Sequence, residues 1–145
     1  MLKDFLNNVT ITQVVDPDTV SADADGSEVD LQGYDSVTFL ALVGATTTTL
    51  SSTNKVELEV EESSTSGTGF TDVDDSDLEG EVSGTNDGCF GVIDAAADDD
   101  AVFSVQYHGS KRYVRPTINV VGTVATGPPI GIVAIKHGYK YPPTS

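Results

Sequence analysis

The sequence is poor in the residues on which most enzyme chemistry relies. Its 145 residues include one cysteine (Cys89), two histidines (His108 and His137), one methionine and no tryptophan. A lone cysteine excludes an internal disulfide framework and any multi-thiolate zinc or iron–sulfur site. Two histidines argue against a His-rich metal centre. Bases are scarce as well, 7 Lys and Arg against 23 Asp and Glu, for a formal net charge of -16. All the acids lie at or before Asp100, so residues 1–100 sum to −21 and residues 101–145 to +5. Such a field repels phosphate, so nucleic acid is not expected as a partner. Anionic membrane surfaces are disfavoured for the same reason. Long apolar runs are missing too. The best stretch, residues 120–135, contains Pro128, Pro129 and three glycines and is too short and broken to span a bilayer. The first eight residues lack the continuous apolar core of a secretion signal. Nucleophile-elbow and phosphate-cradling glycine motifs are absent.

What is present is alternation. Helical periodicity is nearly nil apart from a short turn at Leu2, Phe5 and Leu6, whereas period-2 patterns recur. Residues 9–15 read as a strand ended by Asp16-Pro17-Asp18. Residues 37–43 are apolar on both faces, which predicts a central strand covered on both sides. Residues 55–61 alternate strictly, placing Val56, Leu58 and Val60 in the core and Glu57, Glu59 and Glu61 in water. Further strands are expected at residues 90–93, 101–107, 112–121 and 130–136. Pro116 marks an edge or a bulge in the third of these, and His108-Gly109 marks a hairpin turn. Serine, threonine, glycine and aspartate fill the intervening segments, as turns require. Seven or eight short strands predict an all-β, antiparallel sandwich or small barrel with extended termini. The expected layout is an N-terminal arm (1–8), one sandwich domain (9–137) and a Pro-rich C-terminal arm (138–145).

The acidic runs invite a calcium reading. Asp23-Ala24-Asp25-Gly26 resembles the centre of an EF-hand loop, but position 12 is Gln32. A second run places Asp75, Asp77 and Glu79 at positions 1, 3 and 5, but position 12 is Asn86. Solvated acidic turns are the plainer reading of both, so no metal and no cofactor is assigned; Asp75, Asp77 and Glu79 are the ligands a calcium alternative would use. Ser104 and Ser110 near His108 do not make a triad, and Cys89 beside Phe90 reads as a core thiol. The run Lys111-Arg112-Tyr113-Val114-Arg115 is the most distinctive local feature. Its cations are expected to meet the protein's own carboxylates, including the glutamates of residues 56–61 if those strands are neighbours, or an acidic patch on a partner.

The order of these segments resembles a family. Gly33-Tyr34-Asp35-Ser36-Val37-Thr38-Phe39 opens a buried strand, and residues 56–63 follow. Gly69-Phe70-Thr71-Asp72-Val73 and Leu78-Glu79-Gly80 come next, and the Tyr107–Arg115 run precedes a Gly/Thr-rich turn and a last apolar strand. This pattern, over roughly residues 30–140, resembles small virion proteins of tailed bacteriophages, in particular head decoration (cement) proteins. The resemblance implies an antiparallel β-sandwich or jelly-roll-like domain and a non-enzymatic homotrimer that binds the phage major capsid protein on the outer capsid surface, after a period in the host cytoplasm during assembly. The unusually acidic loops and the Tyr-Pro-Pro ending depart from that pattern. Apolar or aromatic residues in segments without a strand partner make Leu2, Phe5, Leu6, Tyr139, Tyr141, Pro142 and Pro143 candidate capsid or subunit contacts, with Lys111, Arg112 and Arg115 beside them. The alternatives are a calcium-dependent adhesion module and a tail or head–tail junction protein. An acidic surface facing solvent and a basic, Pro-rich end available for docking are the corresponding expectation.

Overall fold

The computed structural model describes residues 4–82 and 86–139, Tyr139 by its backbone alone. Eleven strands are formed: β1 (Thr10–Thr19), β2 (Ala24–Asp25), β3 (Val29–Asp30), β4 (Tyr34–Val43), β5 (Lys55–Ser63), β6 (Thr71–Asp72), β7 (Leu78–Glu79), β8 (Cys89–Ile93), β9 (Ala101–Tyr107), β10 (Tyr113–Val121) and β11 (Pro129–Tyr139). They make two antiparallel sheets. The first has the order β1-β11-β4-β9-β7; the second has β2-β10-β5-β6, with β3 also on β10 and β8 also on β5. The expected sandwich is thus present, with all seven predicted strands and four two-residue additions.

The core lies between the sheets and follows from side-chain alternation. Val37, Phe39 and Ala41 of β4 and Ile130, Ile132 and Ala134 of β11 face Val56, Leu58 and Val60 of β5 and Ile118 of β10, all at most 1% exposed. Aliphatic and β-branched residues dominate because they fit a pleated, half-buried surface.

The structure departs from the alternation pattern in four places. β1 does not stop at Asp16-Pro17-Asp18; it continues to Thr19 through two register shifts, one between Gln13 and Val15 and one between Val15 and Asp18. β1 is an edge strand, so the missing N–H of Pro17 costs no ladder bond. β4 is central within its sheet but covered on one face only. Leu42 is 55% exposed, and Val102 beside it on β9 is 63% exposed. His108-Gly109 is no hairpin turn, because β9 and β10 belong to different sheets and the segment crosses between them. Finally, Glu57 and Glu59 are buried rather than solvated. Asn86 folds over them, donating through Nδ2 to Glu57 Oε2 (3.3 Å) and Glu59 Oε1 (3.2 Å). Asn119 Nδ2 donates to Glu59 Oε2 at 2.5 Å, and Lys55 Nζ pairs with Glu57 at 2.6 Å.

Pro116 sits in neither an edge strand nor a bulge. β10 has β5 on one side and β2 and β3 on the other, and Pro116 lies opposite the gap between those two short strands. Its carbonyl accepts from Gly26 N at 2.8 Å on that broken side, so the absent proline N–H points where no partner strand runs. A side chain at Gly26 would place its Cβ 2.7 Å from Pro116 Cγ. The glycine of the EF-hand-like run is therefore required by packing against a proline.

Burial pushes the Glu59 carboxyl above the usual carboxylate range, and the amide donors only partly offset this. Folded chains then bind more protons than unfolded ones from the ordinary value of 4.5 up to the raised value, so this group removes stability as pH rises through that window. Glu59→Gln is expected to unfold with a free-energy advantage over wild type that grows from about pH 4.5 upward and then levels off. Urea titrations at a series of pH values measure this difference; a pH-independent difference would contradict it.

Candidate functional site

Several of the candidate contact residues converge at one end of the sandwich. Thr10 at the start of β1 pairs with Lys136, and Tyr139 at the end of β11 pairs with Tyr34 at the start of β4. The turn bearing Phe5 and Leu6 immediately precedes β1, and the 108–112 crossover leaves β9 at the same end, since Tyr107 pairs with Val37. Phe5, Leu6, Lys111, Arg112 and the backbone of Tyr139 therefore share one rim, although they span the whole sequence. Leu2, Tyr141, Pro142 and Pro143 lie outside the described residues.

Tyr107 anchors this rim. Its ring is fully buried, and its hydroxyl donates to Glu62 Oε2 at 2.6 Å while accepting from the backbone N–H of Lys111 at 2.9 Å. Burial, followed by the Glu62 contact, pushes the phenol well above its ordinary range, so it stays a neutral donor. Gly109 rides directly over the ring, where a Cβ would come within 2.6 Å of the Tyr107 hydroxyl. The basic loop is thereby fixed to the core by one phenol and one glycine. A polar cleft of about 440 Å³ opens between residues 31–35 and residues 109–112.

The cations divide into spent and available. Arg112 makes a bidentate contact with Asp30 (Nε–Oδ1 2.8 Å, Nη2–Oδ2 2.9 Å) and reaches Gln32 at 2.6 Å. That pair holds the Asp30 carboxyl below its usual range, and because it is exposed, solvent screening leaves it little weight in stability. Lys136 donates to the Asp30 carbonyl at 3.2 Å and stacks on the Tyr34 ring at 4.4 Å. Arg115 lies further along β10, paired with Glu61 at 2.6 Å and Asp25 at 3.0 Å and stacked on Phe70 at 4.3 Å. Its partner Glu61 lies on β5, directly opposite in register, which is the neighbour relation expected from the sequence. Lys111 is exposed and unpaired among the described residues. The other end of the molecule carries Asp16, Asp18, Asp94, Asp98, Asp99 and Asp100 in or beside its loops, together with Lys55; the rim itself also bears Asp4, Asp30 and Asp35 beside its cations.

The calcium alternative gains nothing. Asp75 and Asp77 lie in a single 3-10 turn capped by Asp74, and Asp75 Oδ1 accepts from Gly88 N at 3.1 Å. Glu79 is exposed on β7, and no group of three or more His, Cys, Asp or Glu among the described residues is arranged to hold a metal. Cys89 is fully buried, as its apolar surroundings predict. His137 Nε2 contacts Thr38 Oγ1 at 2.9 Å across β4 and β11.

No protein-family model matches the sequence, and no curated protein matches it. Solved structures with a similar arrangement exist at low identity. One is a chain of the Bacillus endospore appendages, described as a novel family of disulfide-linked pili: 15% identity over 92% of this chain and 90% of that one, TM-score 0.45. Another is the SPBc2 prophage-derived protein YomS: 11% identity over 88% of this chain and 93% of that one, TM-score 0.43.

Sequence reasoning missed Tyr107 as the anchor of the basic loop; the only signal for it was the glycine two residues on. Tyr107→Phe removes the hydroxyl and leaves both Glu62 and the Lys111 N–H short of a partner. The expected loss is about 1.5–3 kcal/mol of unfolding free energy, read from urea denaturation. Wild-type stability in the variant would show that the hydroxyl does not hold the loop.

Proposed function

We propose that this chain is a non-enzymatic structural protein that decorates the outer surface of a tailed-phage capsid as a trimer, docking through the rim that carries Lys111 and the C-terminal arm. The observation that supports this most is the convergence just described. Phe5, Leu6, Lys111 and Arg112 lie at one end of the sandwich with the backbone of Tyr139, which is the last paired residue of β11 rather than part of a free arm. The fold gives the opposite end a cluster of aspartates that favours exposure to solvent.

The physics of the role fits the chain. A protein that coats a particle must stay soluble at high copy number beforehand, and strong net charge supplies colloidal stability. Weak individual contacts suffice once neighbours are fixed side by side, because each further contact is then intramolecular in effect. Lys111 offers an uncompensated charge for an acidic patch on the capsid protein. Arg112 acts there by shaping the rim, since it is held by Asp30, whereas Arg115 lies further along β10 and is held by Glu61 and Asp25. Strand β11 ends beside Tyr34, so the segment beyond it starts at the rim and can reach a neighbouring subunit by strand addition or pocket insertion.

Truncation after Tyr139 keeps every described strand intact. The truncated protein is expected to melt like the full chain but to be lost from particles purified from the phage that encodes it, with Lys111→Glu reducing occupancy further. Occupancy is read from band intensity relative to the major capsid protein. Absence of the full chain from such particles, or equal occupancy of the truncated form, would overturn the reading.

A further inference from the structure

We propose that the carboxylates of Glu57 and Glu59, held together under Asn86, form a pH-sensitive catch that sets how firmly the basic loop of the rim is held.

The catch is built on the outer face of the six-stranded sheet. Glu57 is 4% exposed and Glu59 is 3% exposed. One amide nitrogen, Asn86 Nδ2, serves both carboxylates at 3.3 and 3.2 Å, and Asn119 adds a donor to Glu59 alone. Among the described residues no salt bridge reaches Glu59, since Lys55 goes to Glu57 and Arg115 goes to Glu61 and Asp25. The other charges around it are of its own sign: Glu57 and Glu61 on β5, Asp72 on β6, Asp25 on β2 and Asp87 beside Asn86. Thr117 stands opposite Glu59 on β10, so the two side chains share a face. Its hydroxyl is buried and has no hydrogen-bond partner among the described residues. An ionised Glu59 is thus a buried charge held by neutral amides, beside a hydroxyl with nothing to bind. Lifting Asn86 admits water to both groups, which relieves the cost of burying them. The upward displacement of the Glu59 and Asp72 carboxyls by burial agrees with this arrangement.

A continuous run of hydrogen bonds joins the catch to the rim. Gly88, two residues beyond Asn86, accepts from Val60 N at 2.9 Å and donates to Asp75 Oδ1 at 3.1 Å. Asp75 opens the 3-10 turn Asp75–Asp77, and the Asp77 carbonyl accepts from His108 N at 3.0 Å. Leu78, the next residue, pairs with Tyr107. Tyr107 and His108 are the residues from which the loop bearing Lys111 leaves β9. β7 is only two residues long, so the turn has little else to hold it to β9 once Gly88 lets go of Asp75.

The direction of the response follows from the charge. A protonated Glu59 is neutral and leaves Asn86 seated. An ionised one repels Glu57 and is solvated when Asn86 lifts. Opening therefore releases a proton, and the open fraction rises by up to about tenfold per pH unit between the ordinary 4.5 and the raised value of the covered carboxyl. The loop is held most firmly in acid and most loosely at neutral pH. As a regulation of docking, this rests on the reading given above; the coupling itself belongs to the isolated chain.

The test is amide hydrogen exchange followed by NMR on the full chain, at a series of pH values from about 4.5 to about 8, with rates corrected for the intrinsic pH dependence of exchange. The Val60 amide reports on the catch, the His108 amide on the rim, and the Phe39 amide in the middle of the five-stranded sheet on whole-domain unfolding. Val60 and His108 are expected to be less protected than Phe39, and to lose protection together as pH rises before levelling off. In Glu59→Gln that loss is absent, whereas dependences due to other groups persist. Asn86→Ala alters an exposed position, and its Val60 and His108 amides are expected to be less protected than wild type even at about pH 4.5, where the wild-type catch is shut. Each variant is checked for fold by circular dichroism. Val60 protected as well as Phe39 at every pH, the same pH response in Glu59→Gln, or wild-type protection in Asn86→Ala would each overturn the catch. A loss at Val60 with none at His108 would overturn its coupling to the rim. None of these results depends on capsid binding, so a failure of the docking reading leaves them distinguishable.

Discussion

Electrostatic repulsion among 23 carboxylates on a single small domain is the constraint on which the rest of this structure depends. The fold meets it by segregation. Arg115 and Lys55 neutralise Glu61, Asp25 and Glu57 on the outer face of the six-stranded sheet, while Asn86 and Asn119 bind the Glu59 carboxylate. Asp94, Asp98, Asp99 and Asp100 are confined to one end of the sandwich. The outer face of the five-stranded sheet is left neutral at its three central strands. The uneven distribution of charge over the molecule follows from that division.

Neutralisation has a local cost that the fold accepts. Glu59 and Asp72 are desolvated and hold their protons more tightly than free carboxyls, whereas Glu28, Asp30 and Asp74 are lowered by hydrogen bonds, for Asp30 chiefly from a guanidinium. The two groups of carboxyls act in opposite directions as pH falls. Lowered carboxyls contribute stability at neutral pH that is lost in acid, and the two raised ones regain some of it.

Much of the architecture was legible in the sequence because a period of two is hard to mistake. Val56, Leu58 and Val60 alternate with glutamates and indeed face the core. The basic run was correctly expected to meet the glutamates of β5, since Arg115 and Glu61 stand opposite each other. What alternation does not reveal is what covers a strand's second face. Glu57 and Glu59 were expected in water because a glutamate at that period is normally solvated; a loop some thirty residues on closes over them through Asn86. Leu40 and Leu42 were expected to be covered because they are apolar, and the structure leaves Leu42 half in water. Pro116 signalled an edge, but the break lies in the partner strands. In each case the deciding contact is distant in sequence, and local pattern carries no information about it. At the rim, the part that Tyr107 plays in fixing the basic loop arises from packing and left no periodic signal in the sequence.

The account's central claim is one of orientation: the end bearing Lys111 and the start of the C-terminal arm faces what the protein binds, and the aspartate-rich end faces solvent. A cryo-electron microscopy map of the purified parent particle tests this most directly. The account predicts many copies on the outer surface in symmetric clusters, with residues 108–112 against the capsid and residues 94–100 pointing away. Copies seated with residues 94–100 against the capsid, or a particle surface that lacks the chain, would contradict it.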